Sequence, residues 1–264
     1  MAKKQAATLS NEQIMDVLPL IKGSDTVELK LTVPDADRRS AVAALGIDAL
    51  DAQMRQVMFF DTPDLALNAV GLVVRARRIQ NDLGDTVVKL RPVVPAELPR
   101  KIRKSPSFGV EVDAMPGGFV CSGSMKAEAD PVRAKETFLG LRPVAKLFSK
   151  EERAFFEEHA PEGIELNSLS RLGPINVLKL KFIPDKFGRK LVAELWFYPE
   201  GSRILELSTK CAPSQAFDVA AETKAFLASR GIDLAGEQQT KTKTALEFFA
   251  GELQAAPAAE PLSA

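Results

Sequence analysis

Along much of this chain, charged and apolar residues alternate one for one. In Thr26-Val27-Glu28-Leu29-Lys30, Glu28 and Lys30 share one side, and Val27, Leu29 and the following Leu31 share the other. Val73-Val74-Arg75-Ala76-Arg77, Val88-Lys89-Leu90-Arg91, Val110-Glu111-Val112-Asp113 and Leu178-Lys179-Leu180-Lys181 repeat the pattern. Ala193-Glu194-Leu195 and Leu205-Glu206-Leu207-Ser208 continue it. Side chains alternate across a strand with period two, so each run predicts a β-strand with its charges on one face of a sheet.

The remaining pattern supplies the other elements. Val57 to Asp61 reads as a strand. Leu72–Ile79 and Thr86–Pro92 read as a hairpin across the turn-rich Asn81-Asp82-Leu83-Gly84-Asp85. A further strand is expected at Phe108–Ala114, and a meander at Asn176–Ile183, Lys190–Pro199 and Arg203–Lys210. Helices are expected at Asn11 to Ile21, from Asp35 or Asp37 to Leu45, and at Pro131 to Leu141, Lys150 to His159, Pro213 to Arg230 and Thr242 to Leu253. Ser149 and Glu152 have the spacing of a capping box, which places the start of the fourth helix. Pro92 to Pro106, with four prolines, reads as an irregular crossing. The organisation is a tail with a short helix over residues 1–24, one β-rich domain over 25–250, and a disordered Ala/Pro-rich tail over 251–264.

Composition narrows the class without naming a function. The 264 residues suffice for a large core, with 45% apolar and 27% charged residues. Thirty-five basic residues balance 35 acidic ones, so the chain lacks the bulk positive charge of a typical nucleic-acid binder. Two cysteines, Cys121 and Cys211, are too few for a disulfide framework. Lys3 and Lys4 precede no apolar stretch of a signal peptide, and no run reaches the ~18 apolar residues of a membrane helix. A cytoplasmic protein without membrane or nucleic-acid partners is the expectation, and its oligomeric state is open.

Sorting the runs by face gives the carboxylates Glu28, Glu111, Asp113, Glu194 and Glu206, and the cations Lys30, Arg75, Arg77, Lys89, Arg91, Lys179 and Lys181. The helices need an apolar surface to pack on, and the opposite strand faces provide one. That arrangement puts helices outside and charges inside a curled sheet. Burying so many ions costs several kcal/mol each unless they are paired or neutralised, so such a lumen calls for a highly charged ligand.

The segment Phe59-Phe60-Asp61-Thr62-Pro63, followed by Leu67-Asn68-Ala69-Val70-Gly71-Leu72-Val73-Val74-Arg75-Ala76-Arg77, resembles a signature of the CYTH superfamily, the triphosphate tunnel metalloenzymes. Val27-Glu28-Leu29-Lys30 is similar to the end of that family's Glu-x-Glu-x-Lys signature. Glu111-Val112-Asp113 resembles its acidic middle strand, Leu205-Glu206-Leu207 its acidic last strand, and Lys241 to Leu246 its closing lysine-containing segment. The resemblance spans about Asp25 to Phe249.

It implies an α+β fold: a closed eight-stranded antiparallel β-barrel whose charged lumen binds a triphosphate with Mg²⁺ or Mn²⁺. Lys30, Arg75, Arg77, Lys89, Arg91, Lys179 and Lys181 are then phosphate ligands, and Glu28, Glu111, Asp113, Glu206 and Glu194 metal ligands. Glu28, Lys30, Arg75 and Glu111 are the candidate catalytic set. Thr26 stands where the signature has its first glutamate, and Ser208 where a further acidic residue could sit. The implied activity is metal-dependent hydrolysis of a triphosphate compound, inorganic triphosphate or a nucleoside or thiamine triphosphate, and the implied partner is a small-molecule triphosphate or polyphosphate. A class IV-type adenylate cyclase and a non-catalytic polyphosphate- or nucleotide-binding module are the alternatives.

Overall fold

The computed structural model describes residues 11–232 and 241–255. Nine strands close into one barrel: β1 (Thr26–Val33), β2 (Gln53–Asp61), β3 (Leu72–Ile79), β4 (Asp82–Leu90), β5 (Phe108–Met115), β6 (Gly118–Ala129), β7 (Ser170–Phe182), β8 (Leu191–Phe197) and β9 (Arg203–Cys211). Around the barrel they run β1-β5-β6-β4-β3-β2-β7-β8-β9 and back to β1. The expected eight-stranded, wholly antiparallel barrel is therefore corrected on both counts. The ninth strand is β6, and β1 pairs parallel to β5, with Thr26 opposite Glu111 and Glu28 opposite Asp113.

β6 escaped the alternation pattern because its lumen face is not charged along its length. Ser122 pairs with Glu111, Ser124 with Lys89 and Lys126 with Val87, so small hydroxyls stand where neighbouring strands carry charges. The β3–β4 turn is also tighter than expected. β4 already begins at Asp82, and Asn81 takes the left-handed conformation (φ 57°) that asparagine tolerates. Asp85, expected in the connector, is thus a strand residue opposite Arg77.

Eight helices lie along the chain among the described residues: α1 (Asn11–Gly23), α2 (Arg38–Ala44), α3 (Ala66–Ala69), α4 (Arg100–Arg103), α5 (Pro131–Phe138), α6 (Lys150–His159), α7 (Ala216–Ser229) and α8 (Lys241–Ala255). The apolar strand faces bury against the larger ones. Val27, Val74, Val88, Val110 and Val112 join Val17 and Ile21 of α1 and Phe155 and Phe156 of α6 in one cluster. Leu31, Leu180, Leu205 and Leu207 join Ala41 of α2 and Phe226 and Leu227 of α7 in another. Trp196 and Tyr198 meet Ala245, Leu246 and Phe249 of α8 in a third. Helices outside and charges inside is what the faces implied.

The Ser149 capping box forms: the Ser149 N–H donates to Glu152 Oε2 (2.8 Å) and the Glu152 N–H to Ser149 Oγ (3.1 Å). Thr86 Oγ1 adds a bond to Glu152 Oε2 at 2.8 Å, tying α6 to β4. α8 extends to Ala255, and residues 256–264 lie outside the described residues. None of the described helices is long and apolar enough to cross a membrane.

The Phe-Phe-Asp-Thr segment is a structural device. Asp61 is buried and accepts from the N–H groups of Thr62 (2.8 Å), Leu67 (2.9 Å) and Asn68 (3.0 Å), which folds the chain between β2 and β3 around one carboxylate. Gly71 follows with φ 77°, and a Cβ there would lie 2.0 Å from the Arg91 carbonyl oxygen. Its absence lets the Arg91 N–H reach Gly71 O at 2.9 Å, which fixes Arg91 beside β3. Asp61→Ala leaves three N–H donors unsatisfied, that of Leu67 buried and those of Thr62 and Asn68 partly so, and is expected to cost about 3 kcal/mol in urea unfolding. A loss below half that would show the turn to be held by packing instead.

Candidate active site in the barrel lumen

A cavity of about 330 Å³ fills the lumen. Ten cations and six carboxylates line it, so it carries four more positive than negative charges. The charges are segregated by wall. Consecutive strands β6-β4-β3-β2-β7 present Lys126, Lys89, Arg75, Arg77, Arg55 and Lys179, with Arg91 just beyond the end of β4. Consecutive strands β8-β9-β1-β5 present Glu194, Glu206, Glu28, Glu111 and Asp113. Of the sequence-derived candidates, only Lys181 does not line the cavity: it lies two residues beyond Lys179 on β7 and is exposed.

The acidic wall holds two separate groups. One ligand oxygen from each of Glu28, Glu111 and Asp113 lies within 4.8 Å of the others. The parallel β1–β5 seam produces this convergence. Lys30 Nζ sits 2.8 Å from Asp113 Oδ1 and 3.3 Å from Glu28 Oε2. Lys210, directly across from Glu28 on β9, pairs closely with Glu111 and lies 3.6 Å from Glu28. Thr26 Oγ1 donates to Glu111 Oε2 at 3.3 Å and Ser208 Oγ to Glu28 Oε1 at 3.0 Å, so both substituted signature positions contact the carboxylates that remain. Asp25 does not replace the missing glutamate: it accepts from the Val110 N–H at 2.7 Å and pairs with Arg103.

Glu194 and Glu206 form the second group, away from the three-carboxylate cluster. They face each other across β8 and β9, and Lys241 of α8 bridges them, 2.7 Å from Glu206 and in close contact with Glu194. Lys179 Nζ binds the other Glu194 oxygen at 2.6 Å. Trp196, two residues beyond Glu194 on β8, lines the lumen and donates its indole N–H to Glu194 (3.2 Å).

On the basic wall Arg77 is neutralised by Asp85, with Nε 2.9 Å from both carboxylate oxygens. Arg75 has no such partner among the described residues, and its buried Nε has no hydrogen-bond partner. Burial first, then Arg77, pulls its ionisation down to about 10. Lys89 is brought to about 8, mainly by burial, with Lys30 adding repulsion and Asp113 opposing at 3.8 Å. Burial also lowers Arg91 and Lys126. The acids are lowered as well, which for them favours the charged form. Burial raises Glu28, Glu111 and Asp113, but nearby lysines outweigh it and hold all three below their ordinary range.

Alternation along single strands missed Arg55, Asp85, Lys126, Lys210 and Thr242 as lumen residues, and it could not place Lys241. Lys210 had a readable signal, since it shares a strand face with Glu206 and Ser208. His159, the one histidine, contacts the Phe155 carbonyl (2.8 Å) at the end of α6, away from the cavity.

No family model matches the chain, and no curated protein matches it. Solved structures do. A Hippeastrum protein, HpAC1, assigned as an adenylyl cyclase and described as revealing a dominant triphosphatase activity, matches with a TM-score of 0.62 at 18% identity, over 84% of this chain and 95% of its own. A Bacillus halodurans protein assigned as an adenylate cyclase matches with a TM-score of 0.57 at 13% identity, over 83% and 98%. At these identities the likeness is one of fold. The chain shares the fold of these two proteins, a closed barrel with its charges turned into the lumen.

Proposed function

We propose that the lumen binds a triphosphate and that the chain hydrolyses one of its phosphoanhydride bonds with Mg²⁺ or Mn²⁺. The observation that carries this is Arg75, whose guanidinium has no carboxylate partner among the described residues and whose Nε is buried without a hydrogen-bond partner. Together with Arg91 and Lys126, which have no ion pair among the described residues, and Lys89, whose one ion pair, to Asp113, is 3.8 Å long, it faces the carboxylate cluster across the tunnel. Uncompensated buried cations persist where an anion completes them. The neighbour's triphosphatase activity supports the same reading.

The three-carboxylate cluster fits a divalent cation, because converging hard oxygen donors are the set that Mg²⁺ and Mn²⁺ take. Glu28, Glu111 and Asp113 would hold the ion, which would supply positive charge against the charge developing on the phosphoryl oxygens. The remaining work falls to the chain. Arg75 and Arg91 grip phosphate oxygens through planar N–H forks, and Lys89, Lys126 and Lys179 act as point charges. Lys30 orients Glu28 and Asp113, while Thr26 and Lys210 position Glu111. Catalysis is then mainly placement and electrostatics.

Phosphate release from inorganic triphosphate, ATP and thiamine triphosphate with each metal tests the proposal, and no release from any would sink it. Cyclic nucleotide from ATP would mark a cyclase instead. Trp196 speaks against that outcome, because the Lys241 ammonium sits 4.9 Å from the centre of the indole ring, where a base would stack. A second reading, a non-catalytic triphosphate binder, is favoured by Thr26 and by the two lysines already in the cluster. Tight binding without turnover would select it.

Lys89 gives the site a pH dependence. Its folded ammonium titrates at about 8, below the ordinary 10.5. Between those values the folded chain binds fewer protons than the unfolded one, so this group's contribution to stability improves as pH rises through that window. Phosphate binding favours the charged form and works in the opposite direction. Triphosphate affinity is expected to fall as pH rises from 7 to 9, with proton uptake on binding near pH 8. Calorimetry in buffers of different ionisation enthalpy reads both, and a flat profile would remove Lys89 from the phosphate site.

A further inference from the structure

Glu194 and Glu206 are direct cross-strand partners on β8 and β9, and like charges so placed repel unless something sits between them. What sits there is Lys241. Its ammonium bridges both carboxylates, is largely buried, and comes from α8 rather than from the barrel wall. Every oxygen of Glu194 is engaged: Oε1 by Lys179, and Oε2 by Lys241 and the Trp196 indole.

The seat is built. Tyr198 donates its hydroxyl to the Lys241 carbonyl at 3.0 Å, and Ala245, Leu246 and Phe249 bury one turn and two turns further along α8. The three-carboxylate cluster differs. Lys30, 19% exposed, bridges Glu28 and Asp113 there, but Glu111 is closed only by Lys210, whose side chain is 51% exposed and free to move aside, against 15% for Lys241.

We infer that Lys241 is a resident cation, occupying the Glu194–Glu206 pair permanently, so that the tunnel accepts one divalent ion at Glu28, Glu111 and Asp113 and not a second. This rests on the metal reading above for the first ion, but not for the lysine. An ammonium supplies one fixed positive charge and three donors at that end of the tunnel, without the ligand exchange of a metal. Docking of α8 thereby completes the charge pattern of the lumen.

Trp196 is the only tryptophan in the chain and touches this pair, so its emission reports on the pair specifically. Mn²⁺, a paramagnetic quencher, is titrated into the full chain by calorimetry and followed by fluorescence. The native chain and Lys241→Arg are expected to show little loss of Trp196 emission. Lys241→Met should bind one additional Mn²⁺ and lose most of that emission, and adding Glu206→Gln should abolish the extra site. Circular dichroism confirms that each variant is folded.

Strong quenching of the native chain, or no gain in Lys241→Met, would overturn the inference. If Lys241→Met is unfolded, the native and Lys241→Arg quenching curves still decide it. A native chain that binds no Mn²⁺ contradicts the first metal site, while the gain in Lys241→Met still tests the lysine.

Discussion

Arg75→Ala is expected to lower triphosphate turnover by on the order of 10²- to 10³-fold, the effect of removing one preorganised donor from a water-poor site. Arg75 is a central cation of the basic wall, half-buried, with its Nε enclosed and no carboxylate partner among the described residues. The substitution should leave the fold intact, since it relieves the repulsion from Arg77 that already lowers the ionisation of Arg75. The useful comparison is Arg77→Ala. Arg77 is spoken for by Asp85, so its loss should cost less turnover and more stability. Steady-state kinetics and urea melts on the two variants read the contrast. Equal losses of turnover would show that the ion pair, and not the free guanidinium, organises the phosphate.

Asp113→Asn is the second large effect. Asp113 faces both Lys30, at 2.8 Å, and Lys89, at 3.8 Å, and is one corner of the three-carboxylate cluster. Neutralising it removes a metal ligand and leaves Lys30 with Glu28 alone. Mn²⁺ affinity should fall by on the order of 10- to 100-fold, and turnover with it. The pH dependence should sharpen the assignment. Asp113 supports the charged form of Lys89, so its loss should move the fall in triphosphate affinity to lower pH. Carboxylates held low in the folded state contribute stability above their unfolded values and lose it as pH falls through the folded ones. Asp113→Asn should therefore also flatten the acid limb of the stability curve below about pH 4. Unchanged Mn²⁺ affinity would move the ion away from this cluster.

The sequence disclosed which residues face the lumen better than it disclosed what they do there. Period-two alternation assigns a side chain to a face, and it did so for Glu28, Arg75, Lys89, Glu111, Asp113 and Glu194. It says nothing of position along the tunnel axis, which is set by register. Lys181 shares its face with Lys179 yet lies beyond the cavity for that reason. Nor does it say which strands become neighbours. The parallel β1–β5 seam brings Glu28 to Asp113, while the β8–β9 register holds Glu194 and Glu206 apart as a separate pair. The five acids therefore form two groups where the alternation offered one list. β6 stayed hidden because serines replace charges on its inner face. Lys241 stayed hidden because it approaches from a helix, where period two has no meaning. The Phe-Phe-Asp-Thr segment, the most recognisable stretch of the chain, builds a turn and places Arg91, and its own aspartate never enters the lumen.

The central claim is that unpaired cations in the tunnel are there for a polyphosphate. Calorimetric titration of inorganic triphosphate into the native chain at pH 7, without added metal, tests it most directly. One site per chain is expected, weakened at least tenfold in Arg75→Ala. Absence of binding to the native chain, or equal binding to Arg75→Ala, would contradict it.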